Sequence, residues 1–284
     1  MLALARALER RGDLPGAIDL CQRVLRTEPG RGEAALRLGN LWTRLGDAGR
    51  AKPWFERALA IDPDSAEAAG ALRDFAKMDA LTPDYIRTLF DQYVDRFDVE
   101  LLGTLGYAAP QLVAAALVRC GVRRKSETIL DLGCGTGLSG MALWPFATTL
   151  DGVDLSPRMA EKADTRDIYE TLSVGDAVEF LEGTFRSWSI IAAVDTLNYI
   201  GDLHPVLAAS AQRLESNGLF AGTVEKRDAG GVALTEKRRY AHSQDHVEAA
   251  AKAAGFSIVD MSEGTLRTEA RVPVIGLVFV LKRG

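Results

Sequence analysis

Cysteine is scarce in this sequence of 284 residues. Only Cys21, Cys120 and Cys134 are present, an odd number without any CxxC spacing. A disulfide framework needs paired cysteines and a zinc knuckle needs closely spaced ones, so the sequence excludes both. The scarcity is typical of a reducing compartment, and we expect a cytoplasmic protein.

Long apolar runs and a surplus of basic charge are also lacking. No apolar run approaches the roughly 20 residues needed to span a bilayer, and residues 1–11 lack the pattern of a signal peptide. The chain has 34 Lys and Arg against 39 Asp and Glu, a net charge of −5. Because phosphate-backbone binding normally requires a basic surface, we expect neither a nucleic-acid nor a membrane partner.

What the sequence does contain is typical of a folded protein with two domains. It is 47% hydrophobic and 26% charged, and its length is about twice that of a modal domain. The pattern of residue types along the chain changes near residue 80. We predict one domain at 1–80 and a second at 81–284.

The first segment repeats itself with a period of 34 residues. Small residues recur where two helices would approach closely, large ones fill the adjoining space, and prolines follow the second helix. The matched pairs are Ala5 and Gly39, Leu8 and Trp42, Ala17 and Ala51, Cys21 and Phe55, Leu25 and Leu59, and Pro29 and Pro63. This pattern resembles the tetratricopeptide repeat, with about two copies and a capping helix at 65–77.

Three roles are open for these repeats. Their concave side, with Asn40 and Arg44, could hold a peptide of a protein partner. The repeats could instead buttress the second domain or mediate self-association.

A helical connector, residues 82–120, is predicted between the repeats and the first strand. Thr82, Pro83 and Asp84 form a helix start, with Pro at the first helical position and an acid in the first turn. Aromatic residues recur at helical spacing behind it. Most of them fit a core, but we expect the connector to cover a ligand pocket and Tyr93 to contact the cofactor bound there.

A glycine-rich turn follows the apolar run at 128–132 and precedes a helical stretch. In open α/β sheets, ligands bind at such a turn, since glycine lets them lie against the backbone. The residues of the turn are Gly133, Cys134, Gly135, Thr136 and Gly137, and we expect all five to contact a cofactor.

Two cofactors fit this turn. Gly135, Gly137 and Gly140 spell GxGxxG, which is a weak match to a dinucleotide site. Asp131, just before the turn, would repel a pyrophosphate but would suit an ammonium group. We therefore favour S-adenosylmethionine, with an NAD-linked oxidoreductase as the alternative.

Two further strand ends also carry an acid. Asp154 and Leu155 follow the second predicted strand, where a carboxylate can accept hydrogen bonds from ribose hydroxyls. Asp176 and Ala177 follow the third, where an acid can accept from an adenine amino group. A helix N-cap is the plainer interpretation of Asp176.

These motifs resemble those of the class I S-adenosylmethionine-dependent methyltransferases, and more closely the methyltransferases with amino-terminal tetratricopeptide repeats. The segments that carry the resemblance are AspLeuGlyCysGlyThrGly, ValAspLeuSerPro and ValGlyAspAla, together with residues 90–98, 195–203 and 239–243. It implies a Rossmann-like, doubly wound α/β sheet of seven strands, the last two forming an antiparallel hairpin. Residues 204–215 are predicted to form a helix that ends at Asn217 and Gly218, a left-handed cap.

The residues that carry the chemistry are harder to predict, because the reaction needs mainly positioning and a proton acceptor. His242 is our first candidate for a base, since its ordinary pKa near 6.5 suits proton abstraction. Tyr240 and Glu225 are its companions. Asp195, at the end of the fourth strand, could bind an amine or a hydroxyl. Each could instead have a structural role.

The remaining patterns are weaker. His242 and His246 share a helical spacing but lack further ligands, so we expect no metal site. The basic run at 236–240 could attract an acidic group, although a solvated loop is the plainer interpretation. We predict methyl transfer to an oxygen or nitrogen of a small molecule. The alternative of another class is a cofactor-binding scaffold, or a protein methyltransferase whose repeats recruit its partner.

Overall fold

The computed structural model describes residues 1–44, 47–77 and 81–284. The chain divides into two compact units, Met1–Ala80 and Leu81–Gly284. Throughout the described ranges, none of the helices has the length and apolar character that a membrane span requires.

The first unit is helical, as the 34-residue period predicts. Asp13 and Asp47, one period apart, cap the second helix of each pair by accepting from the amides of Gly16 and Arg50. A Cβ at Gly39 would lie 2.7 Å from the ring of Phe55, so a small residue is required there. The helices are α1 Leu2–Arg10, α2 Leu14–Thr27, α3 Gly32–Arg44, α4 Ala48–Ile61 and α5 Ala66–Lys77.

The second unit begins with helices. Helix α6, Pro83–Val99, is capped by the Thr82 hydroxyl and continues into a π-helical turn, Glu100–Thr104. Helix α7, Ala109–Arg119, follows and packs on the sheet.

Strands and helices then alternate. They are β1 Glu127–Leu132, α8 Leu138–Leu143, β2 Ala147–Asp154, α9 Pro157–Asp164, β3 Thr171–Val174, α10 Ala177–Gly183, β4 Trp188–Ala193, a 3-10 turn at Leu197–Tyr199, α11 His204–Arg213, β5 Leu214–Lys226, β6 Val232–Leu234, β7 Tyr240–His242, α12 Gln244–Ala253, β8 Phe256–Glu269 and β9 Val272–Arg283.

The strands form one mixed sheet, and its fold class is confirmed. Strands β3, β2, β1, β4 and β5 are parallel neighbours in that order, and β9 and β8 extend them as the expected antiparallel hairpin. The described residues add two short strands to the seven predicted. Strand β7 pairs with the carboxyl end of β5, and β6 pairs with β7. Apolar clusters cover both faces of the sheet, which explains the near-continuous apolar strands.

One local prediction is wrong. Helix α11 ends at Arg213 and strand β5 begins at once, so Asn217 and Gly218 do not cap the helix. They lie where the register of β5 against β4 shifts, and Asn217 has a φ of 63°. A residue in the left-handed conformation can serve either a strand irregularity or a helix cap, so the two are alike in sequence.

Candidate functional site

A cavity of about 460 Å³ lies at the carboxyl ends of the parallel strands. The loops that follow β1, β2, β3 and β4 form its floor, and side chains of α6 form its roof. A parallel sheet brings its strand ends to one edge, which is why residues far apart in sequence meet here.

The glycine loop forms one wall of the cavity. Gly133, Gly135 and Gly137 all have positive φ, at 74°, 54° and 85°. A Cβ at Gly133 would lie 2.4 Å from Thr196, whereas the nearest atom to a Cβ at Gly135, on the ring of Phe97, would be 3.9 Å away. The loop therefore leaves room for a ligand against its backbone.

Asp131 is fully buried beneath this loop and does not line the cavity. Its carboxylate accepts hydrogen bonds of 2.7 Å from Ser139 and from Tyr169. Burial raises its pKa to about 6, against the lowering effect of these donors. Both donors use Oδ2, which anchors Tyr169 and α8 under the loop, whereas Oδ1 has no hydrogen-bond partner among the described residues. Contact of Asp131 with the ammonium of a cofactor stays a prediction.

Asp154 faces the cavity and holds two loops together. Its Oδ2 accepts from the Gly135 amide and its Oδ1 from the Ser156 amide, each at 2.8 Å. Burial raises the pKa of Asp154 to about 6, although both amides favour the carboxylate. Each carboxylate oxygen can accept a second hydrogen bond, so the group can still receive ribose hydroxyls.

Asp176 also lines the cavity and is the N-cap of α10, as its plainer interpretation predicts. Its Oδ1 accepts from the amides of Val178 and Glu179, at 2.9 and 3.2 Å. Both bonds use the same oxygen, which leaves the other for a ligand. Five further residues predicted to contact a cofactor also line the cavity, namely Cys134, Thr136, Leu155, Ala177 and Tyr93, whereas Gly137 is not among the lining residues.

Helix α6 is tied to both cofactor loops. Ser156 donates to Asp91 at 2.5 Å, and Arg158 forms a 3.1 Å ion pair with Asp95. Farther along the helix, Asp98 accepts from Thr136 of the glycine loop and pairs with Arg166 at 2.6 Å. These contacts hold the roof over the cavity.

Aromatic side chains form the apolar lining beneath this roof. Phe90 packs edge-to-face on Phe97 and on Tyr199, with ring centroids 6.1 and 5.1 Å apart. Tyr93 packs on Phe97 in the same way at 5.6 Å. Such edge-to-face packing orients the rings of the wall.

A network of charged side chains forms the end of the cavity at β4. Arg267 of β8 reaches the carboxylates of Asp195, Glu225 and Glu269, with 2.9 Å to Asp195 and 2.7 Å to Glu269. Arg239 pairs with Glu225 and Glu269, and Lys237 pairs with Glu269 at 2.6 Å. Three strand ends and the β6–β7 turn are joined by this network.

Asp195 is the catalytic candidate that the structure places at the cavity. Its φ is 58°, its amide donates to Thr223, and its Oδ1 accepts from Asn198 at 2.8 Å. Burial raises its pKa and the Arg267 guanidinium opposes that rise. A constrained carboxylate with a raised pKa suits a proton acceptor.

The other three catalytic candidates, His242, Tyr240 and Glu225, do not line the cavity. His242 is fully buried, and burial together with the neighbouring His246 ring lowers its pKa to about 4. Tyr240 packs against Gly201, and Glu225 is buried in the ionic network. We therefore do not propose His242 as the base.

Sequence reasoning missed several residues of this end. Asn198 and Arg267 are buried polar residues that hold Asp195. Asn198 lies in the segment 195–203 that carries the resemblance but was given no role, and Arg267 belongs to no motif. The segment 236–240 is solvated only in part: Lys237 is exposed, but Lys237, Arg238 and Arg239 also line the cavity. The density of basic residues was the available signal.

Comparison with known proteins identifies the second unit. A family model described as a methyltransferase domain matches residues 105–261, more than half of the chain. The chain belongs to this methyltransferase family. A tetratricopeptide-repeat model matches residues 2–66.

Individual relatives agree. Human methyltransferase-like protein 27 is 30% identical over 176 residues, 50% of this chain and 71% of that protein. The 18S rRNA (guanine-N(7))-methyltransferase of Bos taurus is 39% identical over 81 residues, but the match spans only 28% of this chain and 29% of that protein.

A solved structure shows the same fold. Burkholderia thailandensis 1,6-didemethyltoxoflavin-N1-methyltransferase, with 1,6-didemethyltoxoflavin and S-adenosylhomocysteine bound, superposes with a TM-score of 0.54 at 21% identity. The match covers 71% of this chain and 90% of that one.

The family decides between the two cofactors that the glycine loop left open. The chain is an S-adenosylmethionine-dependent methyltransferase. The open surface at Gly135 and the carboxylates of Asp154 and Asp176 fit this cofactor. Packing explains Gly140, the third glycine of the GxGxxG match, because a Cβ there would lie 2.1 Å from the Tyr169 hydroxyl oxygen.

Proposed function

We propose that the enzyme methylates an oxygen or nitrogen of a small molecule bound beneath α6. The observation that carries this proposal is the roofed, aromatic cavity, which ends at Asp195. A cavity of this kind encloses a compact acceptor and excludes water from it. A folded RNA would need the roof to move, and the net charge of −5 gives it no electrostatic attraction.

The walls divide between cofactor and acceptor. S-adenosylmethionine supplies an activated methyl group, so the protein must position the nucleophile and take up its proton. The loop Gly133–Gly137 would hold the methionine part, Asp154 and Leu155 the ribose, and Asp176 with Ala177 the adenine. Tyr93, in the roof, would cover the ligand.

Asp195 would accept the proton of the acceptor. Its carboxylate is oriented by Asn198 on one oxygen and by Arg267 on the other. Each oxygen retains a lone pair for an amine or hydroxyl of the acceptor. The raised pKa improves its match to such a proton.

Transfer of a labelled methyl group to a panel of phenols and amines tests the proposal. We expect label in a small-molecule product, and Asp195→Asn should lower kcat about 10²- to 10⁴-fold while S-adenosylhomocysteine still binds. Asp228→Asn, an almost fully exposed acid beyond β5, is the control with unchanged turnover. Full turnover by Asp195→Asn, or label found only in RNA or protein, would contradict the proposal.

A further inference from the structure

Three basic side chains converge on one carboxylate at the wall of the cavity. Glu269 Oε1 accepts from Arg239 at 2.6 Å and from Arg267 at 2.7 Å, while its Oε2 pairs with Lys237 at 2.6 Å. These cations lower the pKa of Glu269 to about 2, against the effect of burial. The site is therefore built to hold an anionic group of oxygen atoms.

Of the three acids in the network, Glu269 is the one whose contacts a ligand anion could most readily take over. Asp195 and Glu225 lie at the carboxyl ends of β4 and β5, where Asn198 also fixes them by bonding the Asp195 carboxylate and the Glu225 amide. Glu269 is instead the last residue of β8, before a turn in which Ala270 and Arg271 both have positive φ.

Access to this site is from the solvent side. The Lys237 side chain is 57% exposed, and it lies in the turn between β6 and β7. A ligand anion could therefore take over the Lys237 and Arg239 contacts without removing Arg267 from Asp195. At Lys237 and Arg239 one charge-assisted bond would replace another, and the displaced Glu269 would keep only its bond to Arg267.

We propose that the methyl acceptor carries a carboxylate or phosphate that displaces Glu269 from Lys237 and Arg239. This inference rests on the proposed function and names the class of its substrate. The aromatic lining, with Phe90, Phe97 and Tyr199, would hold the ring or apolar body of the acceptor. The anionic group would then fix the orientation of the nucleophile relative to Asp195.

Calorimetric titration of the full chain, saturated with S-adenosylhomocysteine, tests this inference. The probes are benzoate, phenyl phosphate and the uncharged benzamide. We expect at least one anion to bind about tenfold more tightly than benzamide. The Glu269→Gln variant keeps the shape of the side chain but loses the negative charge that competes with the ligand. The preference for an anion over benzamide should therefore grow by roughly another tenfold. The tighter of the two anions identifies the group.

Two variants make the test specific. Lys237→Gln alters an exposed side chain and should reduce the preference for the anion. Glu263→Gln, on the same strand and paired with Lys226 at 2.7 Å, should leave it unchanged. Equal binding of benzamide and both anions in the native and Glu269→Gln proteins would overturn the inference, as would an equal gain in Glu263→Gln.

The titration separates this inference from the proposed function. It measures binding without turnover, so preferred binding of an anion would stand even if no tested acceptor were methylated. Failure of S-adenosylhomocysteine to bind would instead contradict the proposed cofactor site before any probe is added.

Discussion

Arg267 of β8 donates a hydrogen bond of 2.9 Å to Asp195, which lies just beyond the end of β4. The two residues are 72 positions apart, and the β8–β9 hairpin brings them together. Burial alone would favour the neutral form of Asp195, and the guanidinium counters this effect. In the proposed reaction, this pair would therefore set the pH at which Asp195 can accept a proton.

Replacing Arg267 by Met should move the acid limb of the kcat/KM profile to higher pH. Arg267 lowers the pKa of Asp195, so its removal raises that pKa. Arg119→Met, which breaks the exposed pair with Asp260 of the same strand, is the control and should leave the limb in place. An unmoved limb in Arg267→Met would exclude Asp195 as the titrating base.

Asp154→Asn should weaken cofactor binding. A charge-assisted hydrogen bond is worth about 1.5–3 kcal/mol, which corresponds to roughly 10- to 100-fold in Kd. Because the pKa of Asp154 is about 6, affinity in the native enzyme should also fall as the pH drops through 6, and the variant should lose part of this dependence. Titration with S-adenosylhomocysteine measures the affinity and its pH dependence. The control is Asp164→Asn, which alters an exposed acid. Equal affinity of Asp154→Asn and Asp164→Asn would refute the assignment of Asp154 to the ribose.

Gly140→Ala should destabilise the second unit. The added Cβ would overlap the Tyr169 hydroxyl, which donates to buried Asp131. The variant must therefore either lose this hydrogen bond or shift α8 away from Tyr169. We expect a loss of about 1–3 kcal/mol in the free energy of unfolding. Gly183→Ala, whose Cβ would meet no atom within 4 Å, should cost much less. Chemical denaturation compares the two, and equal stability would contradict this role of Gly140.

Asp98→Asn should loosen the roof of the cavity. The variant loses the charge that pairs with Arg166 and accepts from Thr136, so α6 and the glycine loop are held less firmly. We expect faster dissociation of S-adenosylhomocysteine, measured by stopped-flow fluorescence. Asp84→Asn, at the exposed start of the same helix, should dissociate at the native rate. No change in Asp98→Asn would mean that the roof does not retain the cofactor.

Much of the fold follows from local patterns in the sequence. The 34-residue period predicts the helical pairs because each small residue, such as Gly39, faces a large one, such as Phe55. The glycine loop and the acids Asp154 and Asp176 were predictable because each lies at the carboxyl end of a strand. The bulge at Asn217 was not, because a left-handed residue serves a bulge and a helix cap equally well.

The acceptor end of the site was predictable only in part. Asp195 follows a strand and was found, whereas Arg267 and Glu269 lie in a long hairpin with no motif. Their contacts with Asp195 and Arg239 depend on sheet pairing between distant segments. His242 is the opposite case: its residue type suggested a base, but its side chain is fully buried and does not line the cavity.

The most direct test of the account is a crystal structure of the full chain with S-adenosylhomocysteine. We predict that the ribose contacts Asp154, that the adenine lies beside Asp176 and Ala177, and that the sulfur faces the space in front of Asp195. A nucleoside bound away from Asp154, or a sulfur turned away from Asp195, would contradict the assignment of this cavity as the site of methyl transfer.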